Sequence, residues 1–110
     1  MASCNEIWLI DFGDSYPDEP GGVRPALIVG PPDPFIVPFT IVAPTTTVRR
    51  GLHVHVEIDV DEESGLDETS YVQCEMIRSI SRRRLFRRIG AVGPETGRRV
   101  STVLRTLLDH

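Results

Sequence analysis

Gly21-Gly22-Val23-Arg24-Pro25-Ala26-Leu27-Ile28-Val29 sets a turn, a guanidinium and an unbroken apolar run in succession. The continuity of Pro25-Ala26-Leu27-Ile28-Val29 predicts a strand buried on both faces, with Pro25 tolerated at its first position. Gly30-Pro31-Pro32-Asp33-Pro34 then stops it. Upstream, Ile7-Trp8-Leu9-Ile10-Asp11-Phe12 is a second apolar run suited to a strand, ending at Gly13. Between the two, Pro17, Pro20, Gly21 and Gly22 mark a long exposed loop.

Downstream, Phe39-Thr40-Ile41-Val42-Ala43 predicts a strand closed by Pro44, after which Thr45-Thr46-Thr47 and Arg49-Arg50 lead to Gly51. From His53 to Ile58 the alternation is clean, with Val54, Val56 and Ile58 on one face and His53, His55 and Glu57 on the other. That is the pattern of a strand with one wet face. An acidic stretch, Asp59 to Glu68, has Ser64-Gly65 as its turn; further strands are expected over Tyr71–Ile80 and Arg88–Val92. Gly93 and Pro94 suit a helix start. Val100, Val103, Leu104, Leu107 and Leu108 form one apolar stripe, with Arg98, Arg99 and Arg105 on the other faces. Gly97, unfavourable in a helix, is expected where the helix comes close to the sheet. Strands at such spacing with one terminal helix indicate a mainly β domain over 1–110: a small twisted sheet or partly closed barrel covered by the helix.

At 40% hydrophobic and 25% charged, the composition is that of a soluble globular chain, and no apolar run approaches bilayer length. The first residues lack the basic and apolar regions of a secretory signal, so a cytoplasmic location is expected. Cys4 and Cys74 are too few and too far apart for a disulfide or metal framework; Cys74 reads as a buried hydrophobe and Cys4 as a mobile terminal thiol. The net charge of −4 hides a segregation. All twelve basic residues are arginine, and eight fall between Arg78 and Arg99, whereas residues 53–68 carry seven acids and no arginine. Such a chain either presents a local basic surface to an anionic partner or balances a solvated arginine face against an acidic loop.

His53 and His55, two apart on a strand, share a face, but no third ligand of matching spacing appears, so they read as exposed strand histidines. Pro20-Gly21-Gly22 lacks the lysine and the strand–helix context of a phosphate-binding loop. Arg24 stands where a flexible loop enters a buried strand. It either pairs with Glu19 or Asp18 to anchor the loop, or offers a planar fork to phosphate. Thr46 is a hydroxyl just past a strand end, ordinary turn chemistry or a donor to a phosphate oxygen. In Gln73-Cys74-Glu75-Met76-Ile77-Arg78-Ser79-Ile80, pleat alternation puts Glu75 and Arg78 on opposite sides unless a bulge intervenes.

Taken in order, these segments resemble the MazF/PemK family of RNA-cleaving toxins. Glu6-Ile7-Trp8-Leu9-Ile10-Asp11-Phe12 is similar to its first strand, and Gly21-Gly22-Val23-Arg24-Pro25-Ala26-Leu27-Ile28-Val29 to its G-x-R-P-x-L-I-V motif. Ile41-Val42-Ala43-Pro44-Thr45-Thr46 resembles its Pro-x-Thr turn. Glu75-Met76-Ile77-Arg78-Ser79-Ile80 resembles its E/D-Q-I-R-T-I element, and Arg84-Leu85 with Ile89-Gly90 the segment after it.

The resemblance implies a homodimer of small SH3-like barrels, each with a C-terminal helix (the CcdB/MazF-like fold), binding single-stranded RNA along the dimer groove. It implies cleavage without a metal or other cofactor: the ribose 2′-hydroxyl attacks phosphorus and leaves a cyclic phosphate and a 5′-hydroxyl. Arg24 would stabilise the transition state and assist the leaving oxygen, Thr46 would hold a phosphate oxygen, and Glu75 or Glu19 would accept the proton. Arg49, Arg50, Arg78 and Gln73 would contact RNA, with bases read by the loops at 13–23 and 47–52. The expected protein partner is an antitoxin with a flexible, acidic C-terminal segment. Met76 departs from the family's glutamine, and Asp18 and Gln73 stand where some relatives carry histidine and arginine, which leaves the proton-transfer roles open. Two alternatives are a catalytically silent module and a CcdB-like gyrase binder. The latter depends on a C-terminal Trp-Gly-Ile, where this sequence reads Leu107-Leu108-Asp109-His110.

Overall fold

Among the described residues, seven strands and one helix follow in the order β1 (Glu6–Asp11), β2 (Val23–Ile28), β3 (Phe39–Thr46), β4 (His55–Ile58), β5 (Ser70–Gln73), β6 (Arg78–Ser81), β7 (Leu85–Ala91) and α1 (Pro94–Leu107). The computed structural model describes residues 4–14, 17–19, 21–30 and 38–109; Pro20 and the turn expected at Pro31-Pro32-Asp33-Pro34 lie outside them, as do the first three residues. Among the described residues, no helix is long and apolar enough to cross a membrane.

All pairings are antiparallel, and the path across the sheet runs β4-β5-β3-β2-β1-β7, with β6 also on β3. The apolar continuity of β2 has the expected cause, and that of β1 the same one, since both strands contribute to two cores. Ile7 and Leu27 join Val56, Ile58, Val72, Cys74 and Val100 beneath α1. Ile10, Ala26 and Ile28 join Phe12, Val42 and Ile80 on the other side. Strand neighbours point to opposite faces, so each strand needs apolar residues at successive positions to fill both.

The two ends of the path come together. Ala91 N–H, at the end of β7, donates to the Glu63 carbonyl in the loop after β4 at 2.8 Å. Gly90 permits this approach: a Cβ there would stand 2.3 Å from the carbonyl oxygens of both Glu63 and Ser64. Ser64 holds the acidic loop in shape, its N–H donating to Asp61 Oδ1 at 2.7 Å and its hydroxyl to the Asp59 carbonyl at 3.2 Å. The sheet therefore curls into a partly closed barrel.

Helix α1 begins as expected, with Gly93 as its cap and Pro94 in its first turn. Val100 is buried, and Val103 and Leu104 pack against the core. Leu107 and Leu108, the last members of the stripe, are exposed, because the helix has no core beneath its end. Gly97 marks a close approach, to the Asn5 side chain just before β1, which would lie 2.8 Å from an added Cβ.

Three expectations are corrected. Strand β3 does not close at Pro44 but continues to Thr46, and along its edge opposite β2 the partner changes from β6 to β5. Strand β4 begins at His55, and His53 lies in a preceding turn. The expected strand over Tyr71–Ile80 is interrupted by a 3-10 turn at Cys74–Met76. Moving from Thr45↔Val72 to Val42↔Arg78 spends three residues of β3 against six of the opposing chain, so three are looped out. Pro44 lies within that gap and has no N–H to give to a ladder.

Candidate active site

Arg24 is the second residue of β2, and the loop it follows is pinned at the root. Gly22 N–H donates to the Gly13 carbonyl at 2.8 Å and Phe12 N–H to the Gly22 carbonyl at 2.9 Å. Gly22 reaches this geometry at φ 71°, which a side chain would disfavour. Of the two readings open for Arg24, the anchoring one is met by backbone: Arg24 Nε donates to the Gly21 carbonyl at 3.2 Å. That bond uses the nitrogen at the base of the fork and orients its plane. The terminal nitrogens are the pair that meets a phosphate's two oxygens.

Thr45 ties this segment to the end of β3. Its hydroxyl donates to the Pro25 carbonyl at 2.8 Å, one residue from Arg24 on one strand and one residue from Thr46 on the other. Thr46 makes turn chemistry and keeps a donor as well. Its Oγ1 accepts the Val48 N–H at 3.2 Å, which leaves the hydroxyl proton to give.

The turn at Cys74–Met76 changes where Glu75 goes. Cys74 is fully buried and roots the turn in the core; burial first, and then the charge of Glu75, pushes its thiol up to about 11. Cys4, exposed near the start, donates its thiol to the Gly30 carbonyl at 2.8 Å rather than hanging free. Because the turn replaces the pleat, Glu75 and Arg78 do not separate to opposite sides: both border one concavity of about 590 Å³, with Glu19 and Met76.

The turn also folds Glu75 onto the supposed wet face of β4. Glu75 Oε2 lies 2.8 Å from His55 Nε2. The His55 side chain is only 3% exposed, which corrects the reading of two exposed histidines; His53 alone is exposed. Strand alternation names the face a residue takes but not what will cover it, so His55 carried no signal in the sequence.

Arg24, Thr46, Glu19, Glu75, Arg50 and Gln73 together line one open cavity of about 750 Å³, with Leu52 and Met76 as apolar wall. Gln73 is 7% exposed, and its Oε1 has no hydrogen-bond partner among the described residues. Arg49 is not on this cavity. It lines a neighbouring one of about 320 Å³ with His55 and Tyr71, continuous with the first through Arg50 and Leu52. Arg78 lies on the other side, its guanidinium 5.6 Å from the centre of the Phe12 ring. Tyr71 and Arg84, which line the two flanking concavities, were not singled out by sequence reasoning. The arrangement is a groove with arginines along its length and three carboxylates, Asp18, Glu19 and Glu75, at its middle. Among the described residues, no group of three or more His, Cys, Asp or Glu side chains gathers as for a metal ion.

Residues 3–108 match the family model of the PemK-like, MazF-like toxin of type II toxin–antitoxin systems. Among solved structures, the chain is similar to the Mycobacterium tuberculosis toxin MazF-mt6, at 25% identity and a TM-score of 0.76, covering 94% of this chain and 96% of that one. It is similar in fold to an endoribonuclease from mycobacterial species in complex with its cognate antitoxin, at 24% identity and a TM-score of 0.79, over 98% and 95% of the two chains. MazF from Deinococcus radiodurans shares the fold at 21% identity, with a TM-score of 0.83 over 99% and 97%.

Proposed function

The chain belongs to the PemK-like, MazF-like toxins of type II toxin–antitoxin systems, and on that premise we propose that it is an endoribonuclease that cuts single-stranded RNA without a metal. The observation that carries the reading is the convergence of Arg24 and Thr46 on one open cavity, their segments joined by the Thr45–Pro25 hydrogen bond. Two donors held apart by a rigid clamp suit the two non-bridging oxygens of one phosphodiester.

In the proposed reaction the ribose 2′-oxygen attacks the adjacent phosphorus and its proton passes to a carboxylate, Glu75 or Glu19. The bond from phosphorus to the 5′-oxygen breaks, leaving a 2′,3′-cyclic phosphate and, once the leaving oxygen is protonated, a 5′-hydroxyl. Arg24 and Thr46 meet the charge that builds on the phosphoryl oxygens, and each such donor is worth about a hundredfold or more in rate. DNA lacks the attacking hydroxyl and is bound without being cut. Arg49 and Arg50 on one side and Arg78 on the other follow the strand through the adjoining concavities, and Gln73, on the wall of the main cavity, meets a base or ribose there.

Residues 1–110 act in this reading as one toxin domain that works as a homodimer. An antitoxin's acidic, flexible segment inhibits by setting carboxylates against the groove arginines, a competition favoured by their number. Purified protein incubated with a long mixed-sequence RNA in EDTA tests the proposal. Site-selective cuts with cyclic-phosphate ends, lost in Arg24→Ala, support it; intact RNA beside correctly folded wild-type protein refutes it.

A further inference from the structure

Glu75 is gripped by a histidine whose ring nitrogens are closed to substrate, and we propose that His55 is the positioning residue that makes Glu75, rather than Glu19, the proton acceptor. The inference rests on the ribonuclease reading and deepens it. His55 Nε2 is 2.8 Å from Glu75 Oε2, while Nδ1 is buried with no partner among the described residues. With the side chain 3% exposed, neither nitrogen is open to RNA, so His55 acts through the carboxylate. The Glu75 side chain is 27% exposed and sits where the main cavity meets its neighbour.

The need for such a hold follows from the backbone. Glu75 rides on a three-residue turn looped out of the β3 ladder, where no pleat fixes its direction. A carboxylate free to rotate spends little time within hydrogen-bond reach of a 2′-hydroxyl, and a base works only from that distance. Strand β4 supplies the fixed point: His55 lies opposite Gln73, two residues before Glu75. Binding Oε2 through Nε2–H leaves Oε1 as the oxygen that takes the proton.

The test follows one mapped cut in a long transcript, in EDTA, under single-turnover conditions. It compares wild type, Glu75→Gln, His55→Phe, His55→Gln and the double variant His55→Phe/Glu75→Gln. Affinity for a 2′-deoxy version of the cut site is read alongside. Glu75→Gln should slow cutting about a hundredfold and His55→Phe about tenfold, with affinity unchanged within about twofold. His55→Gln should restore most of the rate, because its amide places a donor near the position of Nε2. In the Glu75→Gln background, His55→Phe should cost nothing further, the signature of two residues acting as one unit. Wild-type rate in His55→Phe, additive losses in the double variant, or failure of His55→Gln to restore the rate would each overturn the inference while leaving the ribonuclease reading in place. Wild-type protein that leaves the transcript whole overturns both. If His55→Phe does not fold, His55→Gln against His55→Asn makes the same comparison, since only the longer amide reaches Glu75.

Discussion

Thr45 and Thr40 lie on the same strand, are 4% and 1% exposed, and should respond to the same substitution with opposite signs. The Thr45 hydroxyl donates to the Pro25 carbonyl at 2.8 Å, whereas the Thr40 hydroxyl has no partner among the described residues. Valine keeps the branched shape and trades the hydroxyl for a methyl. At position 45 that strips a part-buried carbonyl of its hydroxyl donor, a loss of about 1–2 kcal/mol. Valine's fit to a half-buried pleat returns at most a few tenths of that. In a domain near 100 residues, about 1.5 kcal/mol corresponds to a fall in melting temperature of roughly 6 °C. At position 40 the same change removes a polar group whose unpaired burial costs about 1–3 kcal/mol, so Thr40→Val should melt higher than wild type. Calorimetry reads both signs. On the proposed ribonuclease reading, cleavage separates them further: the Thr45 bond joins the segments carrying Arg24 and Thr46, and misplacing reacting groups by about 1 Å costs up to a hundredfold in rate. Thr45→Val should therefore lose activity beyond its loss of stability, and Thr40→Val should not. Equal shifts of the same sign, or a fully active Thr45→Val enzyme, would refute the clamp.

Gly90→Ala should destabilise by more than about 3 kcal/mol in urea titrations, because two fixed carbonyl oxygens occupy the space of the new methyl. Gly93→Ala, with nothing within 4 Å, is the control for space alone and should cost no more than about 1 kcal/mol, the preference for glycine over alanine at a helix cap. The Cys74 thiol, raised from 9.0 to about 11, ionises more readily in the unfolded chain than in the folded one. Its contribution to stability is therefore complete below pH 9 and is lost as pH rises towards 11. Between pH 8 and 10.5 wild type should lose more unfolding free energy than Cys74→Ala, and equal losses would contradict the buried neutral thiol. Arg50→Ala should weaken RNA binding and flatten the salt dependence of log K by about 0.7, the share of one phosphate contact on a single strand. Arg105→Ala, in a separate depression beside the end of α1, should leave that slope alone.

Local signals carried far in this chain. The apolar runs of β1 and β2, the Pro–Gly punctuation and the 3.6-residue stripe of α1 are properties of neighbouring residues, and they predicted a small β domain with a terminal helix. Arg24 and Thr46 were legible because each stands at a strand boundary, where a polar group beside a buried run is conspicuous in one dimension. Glu75 was legible as a residue but not as a geometry. Its direction depends on three residues looped out opposite Pro44, and that mismatch exists only when two distant strands are laid side by side.

His55 was not legible at all. Alternation assigned it to the face away from the core, and alternation was right as far as it goes. Whether that face meets water or another side chain is decided by what the rest of the chain folds across it. Periodicity is a short-range property of the backbone and belongs to the sequence; the covering of a face is a long-range contact, and only the tertiary structure decides it.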